Sequence, residues 1–308
     1  MTLMPKIFAH RGAPVALPEN TLEGFQFAID AGADGLELDL LLTRDGVPVV
    51  THNPCLSGDT TRDGAGRWLN GEGPAISDLT LNELRSYDVG GIRPDSDAAL
   101  KHPHQAKLHR CHIPTLDELL ALVKDKTRDV ELLVELKHSP MADNQISPED
   151  FVQIVADSLT RHKMIEQSYL HAFNWQILSA AARTYPHLRR SHLSKLRSIQ
   201  SDGTVFNGSP WLDGMDPDFA PIPELLAQAG ASIWSPYFRD LDREGLNLAR
   251  DNGLQVMTWT INDEENLRTE LEVGVDGIIT DDTKLACALR DDNRSSQGRV
   301  PVVEGQSK

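Results

Sequence analysis

Short apolar runs of strand character alternate along the chain with longer stretches whose apolar positions recur every three to four residues. That rhythm predicts βα units feeding a parallel sheet. Strands are expected at Ile7–His10, Gly35–Leu42, Val130–Leu136, Tyr169–Phe173, Leu188–Leu193, Ser232–Pro236, Leu254–Ile261 and Asp276–Thr280. Helical periodicity separates most of them, over Asp117–Val123, Asp150–Leu159, Gln176–Ala182, Arg243–Arg250 and Glu264–Leu271. After the first strand, Asn20 reads as a helix N-cap with Glu23 as its capping-box partner, and Leu22, Phe25, Ala28 and Ile29 supply the apolar face. Eight strands in this order match an α/β fold, the (β/α)8 TIM barrel, which commonly takes about 250 residues as one domain. Residues 1–290 are therefore expected to form a single domain.

One further strand, Val47–His52, follows Gly35–Leu42 through Arg44-Asp45-Gly46, and Asp-Gly between two β-runs is a hairpin signal. It reads as an antiparallel return rather than a ninth stave. A two-residue Asp45-Gly46 loop would oppose Arg44 to Val47 and Asp39 to His52, whereas a two-residue slip would oppose Glu37 to His52. Both registers cluster two carboxylates with an imidazole, and a one-residue slip would break the cluster. Residues 54–112 then interrupt the rhythm with Gly, Asp, Arg and His, plus one short helix near Leu81–Ser86. They read as an insertion over one end of the barrel. The rhythm resumes at Thr115, a second candidate N-cap with Glu118 as its partner. From Asp291 the tail to residue 308 is polar and aperiodic, and disorder is expected.

Composition narrows the function. Of 308 residues, 46 are acidic and 30 basic, a formal charge of −16. This argues against nucleic-acid partners, which need clustered Lys and Arg, but leaves room for one phosphate in a local positive pocket. No apolar run approaches the roughly 18–20 residues that span a bilayer, so stable membrane insertion is not expected. The opening MTLMPKIFAHRG lacks the regions of a secretory signal. Cys55, Cys111 and Cys287 are odd in number and form no CxxC pair, which argues against a disulfide framework. The expectation is a cytoplasmic enzyme with free thiols.

Three strand ends carry ionisable groups where a core strand should be apolar. They are His10-Arg11-Gly12, Glu37-Leu38-Asp39 and Val134-Glu135-Leu136-Lys137. Alternate strand residues share a face, so Glu37 goes with Asp39 and Glu135 with Lys137. Buried charges are costly unless paired or metal-bound, and barrel active sites form at the C-terminal strand ends. Three carboxylates without thiolates make a hard oxygen site for one divalent cation, Mg2+ or Ca2+ with Mn2+ as an alternative. Arg11 and Lys137 beside it suit a phosphate, as a fork and a point charge. His10 and His52 titrate near neutrality, one to accept a proton and one to donate it. Together these groups describe a phosphodiesterase.

An ordered set of motifs resembles the glycerophosphodiester phosphodiesterase family, in its bacterial, cytoplasmic form. The set runs from His10-Arg11-Gly12 and Pro18-Glu19-Asn20-Thr21 through Asp34–Asp39, Thr43–Gly46 and His52-Asn53-Pro54. It continues with Ile113–Glu118, Val134–Lys137, Trp259–Asn262 and Asp276–Asp281, so that it covers roughly residues 7–290. The resemblance implies a metal-dependent TIM barrel that hydrolyses small-molecule glycerophosphodiesters to sn-glycerol 3-phosphate and an alcohol. By position, His10 and His52 match its acid/base pair, Glu37, Asp39 and Glu135 its metal ligands, and Arg11 and Lys137 its phosphate-binding cations. Trp259 matches an aromatic that lies against the glycerol moiety. Asn53 departs from the usual aspartate, and His171-Ala172-Phe173 replaces a Ser-rich segment.

Other readings exist for each feature. Trp259 also reads as barrel packing, and Lys137 as the neutralising partner of Glu135. His102, His104, His109, Cys111 and His112 fit no standard zinc spacing. Arg189, Arg190, Lys195 and Arg197 read as a solvated basic patch. A phospholipase D-like or lysophospholipase activity on the same barrel would need an apolar groove near the site. A non-catalytic barrel that captures phosphorylated polyols would not need two titrating imidazoles.

Overall fold

In the computed structural model, which describes residues 4–126, 128–143, 145–195 and 210–297, the chain opens with β1 (Lys6–His10), α1 (Leu22–Asp30) and β2 (Gly35–Leu42). The hairpin strand β3 (Pro48–Val50), a small ribbon of β4 (Cys55–Ser57) and β5 (Glu72–Ala75), and the short helices α2 (Leu81–Leu84) and α3 (Asp97–Lys101) follow. Helix and strand then alternate: α4 (Leu116–Lys124), β6 (Glu131–Leu136), α5 (Pro148–His162), β7 (Ser168–Ala172), α6 (Trp175–Thr184) and β8 (Arg189–Ser194). The remainder is α7 (Ile222–Gln228), β9 (Ile233–Pro236), α8 (Arg243–Asp251), β10 (Gln255–Thr258), α9 (Glu264–Val273), β11 (Gly277–Thr280) and α10 (Thr283–Gln297).

Among the described residues, eight parallel strands, β1, β2 and β6 to β11, close into a ring when β1 pairs with both β2 and β11. The strand alternation sorts side chains into two layers. Ile7, Ala9, Leu36, Leu38, Leu132 and Val134 pack outward with the helices. Phe8, Leu133, Tyr169, Ile233, Met257 and Ile279 form a separate apolar plug inside the barrel. The plug leaves no room for a side chain at position 35: a Cβ on Gly35 would stand 2.2 Å from the Phe8 ring. Two residues beyond the plug, the next inward positions are His10, Glu135, His171, Ser235, Trp259 and Asp281. Four of these six are ionisable, so titratable groups concentrate directly above the plug, at the C-terminal mouth.

Four local expectations are corrected. Helix α1 is capped by Thr21, at φ −110° with its hydroxyl accepting from Gly24 N, and not by Asn20, whose φ of 54° is left-handed. The hairpin pairs Leu40 with Val50, Leu41 with Val49 and Leu42 with Pro48, one residue away from either expected register. Its loop has three residues, Arg44 to Gly46, with Gly46 at φ 77°, a conformation suited to a three-residue hairpin with a bulge. Helix α10 continues to Gln297, so residues 291–297 of the expected tail are helical, while 298–308 lie outside the described residues. Thr115 and Glu118 do form the expected capping box at the start of α4. Arg189 and Arg190 are bound to Tyr169 Oη and to Gly230 O respectively, so they are not a free basic face; Arg197 lies outside the described residues.

Candidate active site and carboxylate cluster

The site is assembled along one edge of β2. Strand β1 covers the first half of that edge and ends with His10 opposite Glu37. The hairpin strand β3 covers the second half, and the last rung, Thr51 N to Asp39 O at 2.9 Å, lies just past its end. The two chain segments thus meet end to end beside Glu37 and Asp39, one delivering His10-Arg11 and the other Thr51-His52. On the opposite edge, β6 places Glu135 beside Asp39. Arg11, at φ 51°, and Asn20, at φ 54°, both adopt left-handed backbone in the loop after β1. Both side chains reach Asp39, a case of local strain, typically about 1–3 kcal/mol each, retained where side chains must converge.

Asp39 is the hub, with no exposed surface. Its Oδ2 accepts from Asn20 Nδ2 at 2.9 Å and lies 3.0 Å from Arg11 Nε. Its Oδ1 lies 2.9 Å from Lys137 Nζ, but at an angle that forms no hydrogen bond. The same ammonium is 2.8 Å from Glu135 Oε2. Glu37 Oε2 lies 3.9 Å from His10 Nε2. Oxygens of Glu37, Asp39 and Glu135 all lie within 4.8 Å of one another. At that spacing, and an effective dielectric near 20, each like-charged pair repels by about 3.5 kcal/mol.

The protonation states follow. Burial, then the charge of Asp39, pushes Glu37 up to about 8. Burial alone would also raise Asp39, but Arg11 and Lys137 hold it well below the usual carboxylate range. Burial raises Glu135 despite the opposing pull of Lys137. The imidazoles diverge. Burial, then the nearby Lys137 charge, lowers His52 to about 3, so it is neutral. Burial and Arg11 press His10 downward, but the hydrogen bond and charge of Asp281 outweigh them and raise it. The donor set of hard oxygens, one carboxyl retaining its proton and a buried Asp39 oxygen without a hydrogen bond all fit a divalent cation at this point.

A cavity of about 500 Å3 opens above the cluster, lined by His10, Arg11, His52 and Asp281 on the barrel side. The 54–112 insertion forms its other wall, with Asp59, Thr60 and Lys101. The insertion is tied to the loop after β1 by Gln105 Nε2 donating to Pro14 O at 2.7 Å and Ala106 N to Ala16 O at 2.8 Å. Of the eight residues singled out in the sequence, seven converge on the cluster or this cavity. Trp259 stands apart. It rests on the apolar plug, edge-on to Phe173 at 5.3 Å, with its indole N–H donating to Ser235 O.

Sequence reasoning missed three groups. Asn20 was assigned to helix capping, although its carboxamide serves Asp39. The Asp281 carboxylate accepts from His10 Nδ1 at 2.5 Å and from Asn262 Nδ2 at 2.5 Å. Strand alternation from Ile279 would have found it. His171 lies beside Glu135 in the inward layer, bonded through Nδ1 to Ser191 Oγ at 2.8 Å. Among the described residues, no metal-sized group includes the histidines of the insertion.

Comparison with known proteins agrees with this geometry. The model of the glycerophosphoryl diester phosphodiesterase family matches residues 10–285. A Silicibacter pomeroyi protein assigned to the glycerophosphoryl diester phosphodiesterases, solved by crystallography, is 37% identical with a TM-score of 0.83, over 94% of each chain. A Mycobacterium tuberculosis protein assigned as glycerophosphodiester phosphodiesterase 1 is 31% identical over 81% of this chain and 87% of its own. The glycerophosphodiester phosphodiesterase of Caldanaerobacter subterraneus is 29% identical over 90% of this chain and 93% of its own.

Proposed function

Because the chain belongs to the glycerophosphoryl diester phosphodiesterase family, we propose that it hydrolyses glycerophosphodiesters to sn-glycerol 3-phosphate and an alcohol. The observation that carries this reading is the meeting of a buried acidic triad, two imidazoles whose pKa values are shifted in opposite directions and two cations at one barrel mouth. Glu37, Asp39 and Glu135 would hold a divalent cation, with Mg2+, Ca2+ and Mn2+ all suited to such oxygens. When bound, that ion supplies Lewis-acid polarisation of a non-bridging phosphoryl oxygen.

The chain's own groups do the rest. Neutral His52 accepts the proton of the attacking hydroxyl, of water or of the glycerol C2, as its oxygen bonds to phosphorus; attack by the C2 hydroxyl closes a cyclic phosphate, which water must then open to give glycerol 3-phosphate. His10, whose pKa Asp281 helps to raise, gives a proton to the departing alkoxide as the bond from phosphorus to the alcohol oxygen breaks. Arg11 and Lys137 offset the negative charge that develops on the phosphoryl oxygens. Trp259 offers the glycerol an aromatic face at the edge of the plug. Residues 1–290 act as one catalytic domain in which the insertion covers the leaving-alcohol side. Three unpaired cysteines fit a cytoplasmic setting, and no helix among the described residues is long and apolar enough to cross a membrane.

The test is a panel of glycerophosphocholine, glycerophosphoethanolamine, glycerophosphoglycerol and lysophosphatidylcholine, assayed in chelator and then with each ion restored. Release of glycerol 3-phosphate from the first three, abolished by chelator, is expected. His10→Ala and His52→Ala should each lose about 100- to 10,000-fold in turnover while staying folded. Binding of these diesters without turnover under any ion would favour a binding barrel, and selective cleavage of the lysolipid would favour the lipase reading.

A further inference from the structure

We propose that Asp281, itself held by Asn262, is the positioning residue that fixes the tautomer and aim of His10; this rests on the phosphodiesterase reading above. The geometry begins in β11. Ile279 belongs to the apolar plug, so Asp281 is the next inward position and rises beside His10 at the mouth. His10 Nδ1–H donates to Asp281 Oδ1 at 2.5 Å. The other oxygen, Oδ2, accepts from Asn262 Nδ2 at 2.5 Å, and Asn262 Oδ1 accepts in turn from Asp281 N at 2.9 Å. Both carboxylate oxygens are therefore committed, and the carboxylate cannot rotate without losing two bonds.

Asn262 is itself fixed, because its loop is laced to the same strand by Ile261 N donating to Ile279 O at 3.1 Å. An ionised carboxylate can only accept, so Nδ1 must carry a proton. Nε2 is then the single ring position left to meet substrate, and it points toward Glu37 and the cavity. Asp281 thus acts through the imidazole. The consequence is specific: it matters when the leaving group needs a proton and matters little when it does not.

The experiment pairs two diesters of glycerol phosphate, one with ethanolamine and one with p-nitrophenol, whose anion departs unprotonated. Asp281→Asn is expected to lower kcat for the ethanolamine diester about 100- to 10,000-fold with KM little changed, and kcat for the p-nitrophenyl diester less than about tenfold. Asp281→Glu should recover part of the lost turnover. Asn262→Ala should show the same substrate contrast more weakly, and the double variant should be no worse than Asp281→Asn alone, because the two act as one unit. In proton NMR, a far-downfield Nδ1–H resonance is expected in the intact protein and should vanish in both His10→Ala and Asp281→Asn. Equal losses on the two diesters, or a resonance that survives Asp281→Asn, would overturn the proposal. An intact protein that turned over neither diester would sink the function reading instead, and the resonance would then judge the positioning claim alone.

Discussion

Lys137 occupies the position of a cation between two buried carboxylates, and its removal gives the most direct measure of that cluster's electrostatics. Lys137→Met keeps the length of the stem and removes the charge that stands 2.9 Å from Asp39 and 2.8 Å from Glu135. Removing one partner of a buried pair typically costs about 3–5 kcal/mol, because the other charge is left uncompensated. Here the lysine side chain is 19% exposed and Arg11 still serves Asp39, so the low end, about 3 kcal/mol, applies. For a chain of this length about 1 kcal/mol moves Tm by roughly 2 °C, so a fall of roughly 6 °C is expected in chelator. A divalent ion at a hundred times its Kd stabilises the unaltered protein by about 2.7 kcal/mol. The variant should gain more, since its carboxylates no longer share themselves with an ammonium. Turnover should stay low, by about 100-fold or more, because the phosphate has lost a cation. Thermal melts with EDTA and then with Mg2+, Ca2+ or Mn2+ decide the matter. Identical midpoints in chelator, or equal gains from the ion in both proteins, would refute this account.

Three further substitutions, at two positions, probe the support around the site. His192 points outward from β8 onto Trp175, with ring centroids 5.3 Å apart and its Nδ1 unpartnered; burial, then Arg190, lowers it to about 3. Its folded pKa lies below the unfolded 6.5, so the stability it allows is present above 6.5 and is lost as pH falls toward 3, by about 3 kcal/mol at pH 4. His192→Leu should forfeit about 0.5–1.5 kcal/mol of ring contact at neutral pH yet exceed the unaltered protein in acid melts below about pH 5; parallel stability curves would show the histidine to be irrelevant. Asn20→Ala loses a hydrogen bond to a buried carboxylate and puts alanine at φ 54°, for a cost of about 2–4 kcal/mol in urea unfolding. Asn20→Gly relieves only the backbone part and should cost less by about 1 kcal/mol; equal costs would mean that the left-handed backbone carries no strain.

What was legible in the sequence follows from which interactions are local. Alternation along a strand is a property of the backbone, so His10, Glu37, Asp39 and Glu135 could be assigned to one mouth from spacing alone. Asp281 was equally legible, two positions beyond Ile279, but a lone aspartate at a strand end carries no chemical signature until its histidine partner is in view. Asn20 was misread for a different reason. Asn and Thr are both good N-caps, and in Asn20-Thr21 the local rule cannot choose between them. The choice is made by Asp39, 19 residues away, which claims the asparagine and leaves the cap to the threonine. Trp259 carried the opposite problem: an aromatic at the end of a strand is consistent with plug and with ligand, and here it rests on the plug with part of its surface still exposed.

The hairpin shows where such reasoning ends. A one-residue shift in register should have turned His52 away from Asp39, yet His52 lines the cavity and feels the Asp39 charge. The alternation rule fails here because it applies only while the strand continues. Strand β3 stops at Val50, and the chain bends through Thr51 and His52. From there the direction of the chain is set by tertiary contacts. Val50 N donates to Pro114 O at 2.8 Å, Val49 bridges Thr115, and Pro54 O accepts from Ile76 N at 2.8 Å. Each of these partners lies within or just beyond the 54–112 insertion. The insertion therefore does more than cover the cavity: its bonds at both ends hold the bend that presents His52. It follows that loosening these contacts would displace His52, the proposed base, without touching the barrel, whereas His10, fixed by β1 and Asp281, would stay in place.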